Sequence, residues 1–307
     1  MDWQAEITAA AQRIRPHIRR TPVIDLELPG GVSVALKLEH MQHTGSFKAR
    51  GAFNTLLSLP VPAAGVVAAS GGNHGAAVAY AARRLGHPAR IFVPAFAGPA
   101  KIALIRQQGA DLEVVPGVYA DAAARALAHA QATGAMQIHP YDATATVAGQ
   151  GTLMREWEEQ GLDADTVLIA VGGGGLIAGA LAWLAGRRRI IAVEPDLAPT
   201  LHRALIDGPE TVVTVGGIAA NALGSSKIGR IAYDLAKVQG VAALLVSDAA
   251  ITESQTHLWR SLRQWVEPAG AAALAALLSG AYRPEPGERV AVLICGANPA
   301  PDPTGPA

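Results

Sequence analysis

The sequence predicts an α/β protein with two doubly wound domains whose sheets are mainly parallel. From Val66 onward, short apolar runs alternate with segments of helical periodicity. The apolar runs carry no polar alternation, which is typical of parallel strands buried on both faces. The same rhythm restarts at Thr166. We therefore predict a small domain at 43–143 and a large domain built from 1–42 plus 144–307.

The first series predicts strands and helices in strict alternation, and right-handed crossovers would cover both faces of the resulting sheet. Its predicted strands are 66–69, 89–94, 111–116 and 136–140, with helices at 75–86, 99–110 and 121–133. The second series predicts strands at 166–171, 189–195, 242–246 and 289–294, with a helix at 176–186.

Composition favours a globular protein with a small-molecule partner. Of 307 residues, 50% are hydrophobic and 16% are charged, which is enough to bury a sizeable core. The 25 basic and 25 acidic side chains cancel, so no overall field attracts nucleic acid or an anionic membrane. A single cysteine and an N-terminus without a signal-peptide pattern indicate a reducing cytoplasm.

One uncharged segment, 167–186, has the length of a membrane span. It contains four consecutive glycines, each of which costs about 1 kcal/mol inside a helix relative to alanine. We interpret the segment as strand, loop and helix, and we expect no membrane association.

Three loops follow predicted strands at the edge where α/β sheets bind ligands. They are 70–75 (SGGNHG), 172–175 (GGGG) and 295–298 (CGAN). Glycines let backbone N–H groups approach an anion, and four in a row can surround a phosphate. Each loop also has a plainer interpretation: a capped turn, tight strand–helix packing, and a small buried cysteine. A dinucleotide site also stays open, since Glu194 ends the next strand, although the Gly-x-Gly-x-x-Gly spacing is absent.

Lys48 lies where the sequence predicts the first turn of a helix, with Ser46 as its N-cap. The apolar spacing that predicts this helix comprises Ala49, Ala52, Phe53, Leu56 and Leu57. The helix dipole and partial burial both disfavour an ammonium ion there, although a solvated lysine is the plainer interpretation. A neutral amine condenses with aldehydes. Together with a glycine loop for one phosphate and an asparagine-bearing loop, it indicates pyridoxal 5'-phosphate.

Seven segments together resemble the fold type II pyridoxal-phosphate enzymes, whose fold is that of the tryptophan synthase β subunit. They are TGSFKARGAFN (44–54), SGGNHG (70–75), AGQGT (148–152), VGGGGLIAG (171–179), VEP (193–195), EPAGAAALAAL (267–277) and ICGAN (294–298). Within that group, the chain is most similar to the serine/threonine dehydratase and serine racemase branch. The similarity runs in order from about residue 15 to residue 298.

The resemblance implies a role for each residue of these segments. The implied cofactor contacts are Lys48, Phe47, Asn73, Gly172, Gly173, Gly174, Gly175, Leu176 and Cys295. The implied contacts of the substrate carboxylate are Ser70, Gly72, Asn73 and His74. Lys48 would form the Schiff base, Phe47 would pack on the ring, and Asn73 would bind its hydroxyl. The glycines and the Leu176 N–H would hold the phosphate, and Cys295 would lie at the ring nitrogen.

The implied activity is β-elimination from L-serine, L-threonine or a related 3-hydroxy amino acid, giving a 2-oxo acid and ammonia. The resemblance also implies a homodimer. A racemase or a 3-hydroxyaspartate dehydratase of the same family is the alternative, and whether Arg50 reaches a second carboxylate stays open. A non-catalytic protein that binds the cofactor or an amino acid, or a nucleotide-binding oxidoreductase, would be a different class.

Three departures from the family pattern bear on these expectations. Gly71 stands where racemases of this family carry a second serine, so little racemisation is expected. The family's cation site falls on Glu194, Ala198 and Thr200, and because threonine is a poor ligand for a hard cation we expect no metal. Asn221, next to Ala220 where an aspartate is common, leaves the selectivity for the substrate side chain open.

Overall fold

The computed structural model describes residues 1–298, so the end of the predicted 144–307 domain lies outside the described residues. The strands are β1 Val23–Leu28, β2 Val32–Lys37, β3 Val66–Ala69, β4 Ala89–Pro94, β5 Asp111–Val115, β6 Met136–Gln137, β7 Thr166–Ala170, β8 Arg189–Pro195, β9 Ala242–Val246 and β10 Val290–Leu293. The α-helices are α1 Trp3–Ile14, α2 Lys48–Ser58, α3 Asn73–Leu85, α4 Pro99–Gln107, α5 Tyr119–Thr133, α6 Thr144–Glu159, α7 Gly175–Leu184, α8 Thr200–Asp207, α9 Ala220–Leu223, α10 Arg230–Val238, α11 Asp248–Leu262 and α12 Pro268–Leu278.

The strands form two sheets. The larger has six strands in the order β1-β2-β10-β7-β8-β9, and the smaller has four in the order β5-β4-β3-β6. Every pairing is parallel except β1 with β2, which form an antiparallel hairpin. The predicted fold class is therefore confirmed.

Helices cover both faces of the smaller sheet, because alternate buried residues of β3 pack against different helices. Val66 and Ala68 of β3 pack in a cluster with α3, whereas Val67 and Ala69 pack in a separate cluster with Ala122 of α5. Alternate side chains of a strand point to opposite faces, so the two clusters lie on opposite sides of the sheet. In the larger sheet, α12 packs across β7, β8, β9 and β10.

The elements predicted from uninterrupted apolar runs are all present, with ends that differ by a few residues. The start of α2 differs: we predicted Ser46 as N-cap, but the N-cap is Phe47, and Ser46 is extended with φ −160°. Ser46 instead pairs with Gly296 in a β-bridge. The division into 43–143 and the rest stays a prediction. Among the described residues, no helix combines the length and apolarity needed to cross a membrane.

Candidate active site

The strand end after β10 positions the lysine that the sequence singled out. The Phe47 N–H donates to the Cys295 carbonyl at 3.2 Å, and the Ala297 N–H donates to the Gly45 carbonyl at 2.8 Å. These bonds fix residues 45–47 along the loop 295–297. Lys48 therefore begins α2 beside the carboxyl end of the central strands, where ligands of α/β proteins bind.

Lys48 is half-buried and points towards the segment that follows β6. Its Nζ donates to the Pro140 carbonyl at 2.7 Å and lies 5.0 Å from the centroid of the Phe47 ring. Burial lowers the pKa of Lys48 to about 8, because a charged ammonium loses hydration there. Near neutral pH, a much larger fraction of Lys48 is thus in the neutral amine form than of a solvated lysine.

The four-glycine loop forms a cradle of unpaired amides at the start of α7. Gly174 has φ +93°, a conformation that favours glycine. Within residues 1–298, no acceptor faces the N–H groups of 172–174, and the first-turn N–H groups of α7, including that of Leu176, have no intrahelical partner. These converging amides and the positive end of the helix dipole make an anion site.

Tyr141 brings this cradle next to Lys48. A Cβ placed on Gly173 would lie 2.3 Å from Tyr141 Cδ1, and a Cβ on Gly175 would lie 2.8 Å from Tyr141 Cα. Pro140, the acceptor of the Lys48 ammonium, is the preceding residue. Pro140 thus contacts the amine while the adjacent Tyr141 contacts the anion site, so the two sites lie close together.

Within residues 1–298, the loop Ser70–His74 leaves the N–H groups of Gly71, Asn73 and His74 without an acceptor at the start of α3. Ser70 Oγ accepts from the Gly72 N–H at 3.1 Å, which holds the loop in shape, and α3 begins at Asn73. His74 Nε2 lies 3.0 Å from the Ile138 carbonyl. Burial, reinforced by the Lys48 charge, lowers the pKa of His74 to about 3, so the imidazole is neutral.

Asn73 and Cys295 complete the candidate site near Gly296. Asn73 Nδ2 donates to Glu267 Oε1 at 2.5 Å, and its Oδ1 accepts from Asn298 Nδ2 at 2.7 Å. The Cys295 thiol donates to the Ala269 carbonyl at 3.4 Å. Burial raises the pKa of this thiol, and the Glu267 charge adds to the shift, so Cys295 stays neutral.

The residues present fit pyridoxal phosphate. A half-buried primary amine with a lowered pKa suits an aldehyde, and the amide cradle suits one phosphate. The buried hydroxyls of Thr44 and Ser46, just before Lys48, have no hydrogen-bond partner within the described chain. A polar ligand in the site would satisfy such groups. The individual roles of the predicted cofactor and carboxylate contacts stay predictions.

The sequence reasoning missed two buried charged residues beside this site, Lys101 and Glu267. Both line a small cavity with Asn221 and Asn298. A signal for Lys101 was present, because lysine is rare in this chain and this one lies in the first turn of a helix after a strand. The Glu267 carboxylate is buried next to Gly296, and burial raises its pKa.

Arg50 does not reach the candidate site, so it is not the residue that would bind a second carboxylate of a substrate. It is fully buried, its Nε lies 2.6 Å from Glu39 Oε1, and its Nη2 lies 2.9 Å from Glu156 Oε2. Two carboxylates therefore neutralise its charge inside the core.

Two residues at the position of the family's cation site, Glu194 and Thr200, make hydrogen bonds within the chain. Glu194 accepts from the N–H groups of Leu201 and His202, each at 2.7 Å, and so caps α8. Thr200 Oγ1 donates to the Ser225 carbonyl at 2.6 Å. From residue 1 to 298, no three His, Cys, Asp or Glu side chains cluster as metal ligands.

Comparison with known proteins identifies the family to which this fold belongs. Residues 14–296 match the family described as "Pyridoxal-phosphate dependent enzyme", and the chain belongs to that family. It is 38% identical to the phenylserine dehydratase of Ralstonia pickettii over 302 residues, covering 95% of this chain and 92% of that protein. It is 34% identical to the L-threonine ammonia-lyase of Geobacter sulfurreducens, covering 94% of this chain and 74% of that protein. The structure of maize serine racemase superimposes with a TM-score of 0.91 at 30% identity, covering 96% of this chain and 93% of that one.

Proposed function

We propose that this protein is a pyridoxal-phosphate-dependent lyase that dehydrates and deaminates L-serine, L-threonine or a related 3-hydroxy amino acid. The observation that carries the proposal is the half-buried Lys48 amine, with its lowered pKa, beside the amide cradle at 172–175. The relatives named phenylserine dehydratase and threonine ammonia-lyase support this reaction class.

Each group of the candidate site would have a separate role in this reaction. Bound pyridoxal phosphate supplies an electron sink for the Cα–H bond of an attached amino acid. The Lys48 amine would accept the Cα proton, since its lowered pKa leaves the neutral form available. The N–H groups of Gly71, Asn73 and His74 would hold the α-carboxylate at the start of α3. Cys295, kept neutral by burial, would face the ring nitrogen without stabilising a positive charge there.

The racemase alternative rests on the similarity to maize serine racemase. Racemisation requires a proton donor on the face of Cα opposite the lysine, and Gly71 has no side chain to provide one. A Cβ at residue 71 would lie 2.5 Å from Ala97 Cβ, so the backbone leaves no room for a serine without movement. This geometry favours elimination over racemisation.

The test is a substrate panel with the purified holoenzyme. L-Serine, L-threonine, 3-phenylserine and 3-hydroxyaspartate are incubated with the protein, and ammonia and the 2-oxo acid are measured. At least one should be turned over, and Lys48→Ala should lose activity by a factor of 10³ or more, about the weight of a general base and nucleophile together. Borohydride should leave the cofactor attached to the peptide that contains Lys48.

Each rival activity has its own signature in the same panel. D-serine formed from L-serine, measured by chiral chromatography, would favour a racemase. Spectral shifts without any product would favour a non-catalytic amino-acid-binding protein. A colourless protein that binds NAD would favour an oxidoreductase.

We also propose a homodimer in the cytoplasm, on the strength of the family resemblance and of the single, buried cysteine. Light scattering of the purified holoenzyme should give twice the monomer mass of 31.5 kDa. A mass of one chain at micromolar concentration would contradict the dimer.

A further inference from the structure

Lys101 places a positive charge inside the cavity next to the candidate site. It is the third residue of α4, its side chain is only 5% exposed, and it lines the cavity with Asn221, Glu267 and Asn298. Its Nζ lies 3.6 Å from the point where a Cβ on Gly72 would be. The ammonium therefore lies beside the loop that we expect to hold a carboxylate.

This ammonium has no partner in the described chain. Within residues 1–298, it makes no hydrogen bond and no ion pair within 4 Å. Among the described residues, Glu267 is the acidic group whose charge acts on it, and the Glu267 carboxylate also accepts from Asn73. The ammonium therefore opens onto the cavity with its donors unused, and an anion there would form a charge-assisted hydrogen bond with it. A carboxylate that enters the cavity would supply that anion.

We propose that Lys101 is a substrate-binding residue whose Nζ donates to a carboxylate of the amino acid. The proposal rests on the proposed function, because it presumes an amino acid in this cleft. The free amides at the start of α3 would bind one carboxylate oxygen and the ammonium the other, since Gly72, the residue before α3, lies beside Lys101. The nearby Glu267 carboxylate disfavours a dianion such as phosphate, so a single carboxylate is the matching group.

Two carboxylates could occupy this position: the α-carboxylate of any amino acid, or the second carboxylate of an acidic one. The cavity also contacts Ile218, Ala219 and Ala222 of the segment whose sequence left side-chain selectivity open. Glu267 is the acidic residue of that contact set, so a bound carboxylate would share the ammonium with it. Ligands that differ only in their carboxylates separate the two sources.

The experiment measures dissociation constants of ligands that carry no β-hydroxyl. L-Alanine, L-aspartate and L-alaninamide are titrated into the holoenzyme, and binding is followed by the cofactor absorbance. The variants are Lys101→Met and Lys101→Gln, and the control is Lys237→Met, an exposed lysine on α10. Removal of a charge-assisted hydrogen bond should raise the dissociation constant about 10- to 100-fold.

The pattern across the ligands decides the outcome. If the α-carboxylate is the partner, both L-alanine and L-aspartate weaken in the Lys101 variants, whereas a loss confined to L-aspartate identifies the second carboxylate. L-Alaninamide and the Lys237 control should change less than about twofold, within the usual effect of a surface substitution. Unchanged affinity for all three ligands, or an equal loss for the amide, would overturn the proposal.

The pH dependence adds a readout that a merely structural lysine would not affect. In the wild type, L-alanine should bind more weakly as pH rises, because Lys101 loses its proton. In Lys101→Met, this contribution to the pH dependence of the dissociation constant should be absent. Failure of the two proposals looks different: ammonia release with unchanged dissociation constants rejects only the role of Lys101. The expected shifts in affinity without ammonia from any hydroxy amino acid would reject only the lyase.

Discussion

At the scale of single residues, the surroundings of Lys48 determine its chemistry. The sequence predicted correctly that this lysine starts a helix and is partly buried. The N-cap prediction was wrong, because Ser46 pairs with Gly296, a residue 250 positions later in the chain. Side-chain capping is a local rule, and a long-range strand contact overrode it here.

The lowered pKa of Lys48 should govern capture of the cofactor by cofactor-free protein. Only the neutral amine condenses with the aldehyde, so the rate should rise with pH and reach half its maximum near pH 8. A solvated lysine would place this midpoint near about pH 10.4. Stopped-flow absorbance of pyridoxal phosphate added to the protein measures it, with Lys48→Ala as the control that should show no fast phase. A midpoint at or above pH 10 would contradict the burial of this amine.

The charged residues beside the site mark the limit of residue-level prediction. Lys101 and Glu267 are 166 positions apart in sequence, and nothing in their local patterns indicates that they line one cavity. Arg50 was open as a ligand for the substrate, yet Glu39 and Glu156 neutralise it. Partners of a buried charge come from several elements, so they are visible only in the folded chain.

At the scale of secondary structure elements, prediction succeeded for strands that alternate with helices along the chain and missed the antiparallel hairpin near the N-terminus. The hairpin β1–β2 was not predicted, although β1 alternates from exposed Asp25 to buried Leu26 and from Glu27 to buried Leu28. Such alternation is the signature of a strand with one solvated face. Short, mainly apolar runs between helical patterns were what located the other strands.

Helix α6 contains the AGQGT segment, which local propensity would exclude from a helix. The packing explains its glycines. A Cβ on Gly149 would lie 2.7 Å from Gly51 Cα of α2, and a Cβ on Gly151 would lie 3.0 Å from the Gly179 carbonyl of α7. The glycines thus let α6 pack closely against both neighbours, which offsets their cost to the helix.

Arg50 joins α2, α6 and the segment after β2, so its removal should destabilise the fold. Arg50→Met leaves the buried Glu39 carboxylate without its cationic partner, whereas Lys37 still pairs with Glu156, and we expect a loss of about 3 to 5 kcal/mol. Denaturant unfolding of the holoenzyme measures the loss. Arg125→Met, which removes an exposed partner of Glu113, should cost below about 1 kcal/mol. Equal losses in the two variants would show that burial does not strengthen this ion pair.

At the scale of the whole molecule, the candidate site uses both sheets. Lys101 and Asn73 follow strands of the four-stranded sheet, whereas the glycine loop and Cys295 follow β7 and β10 of the six-stranded sheet. The sequence predicted each loop separately, because strand ends and glycine runs are local patterns. It could not predict how the loops meet, since the contacts of residues 45–47 with 295–297 and of Tyr141 with the cradle join distant parts of the chain.

A ligand held between the two sheets should stabilise the molecule as a whole, and Gly174 provides the test. At a free cofactor concentration 100 times its dissociation constant, the wild type should gain about 2.7 kcal/mol over the cofactor-free protein. In Gly174→Ala, a Cβ would lie 2.4 Å from Ala232 Cβ at a φ of +93°, so the cradle must distort. A 100-fold loss of affinity would reduce the gain to less than about 0.5 kcal/mol.

Gly186→Ala is the matched control for this loss of cofactor binding. Gly186 has φ +79° and nothing within 4 Å of its Cβ position, so alanine there carries the backbone strain without the collision. We expect it to destabilise both forms by about 1 kcal/mol, while the gain from the cofactor stays near the wild-type value. Calorimetric unfolding of the wild type and of both variants, with and without pyridoxal phosphate, measures these gains. If Gly174→Ala retained the full gain, the amides of 172–175 would not be the site that holds the cofactor phosphate.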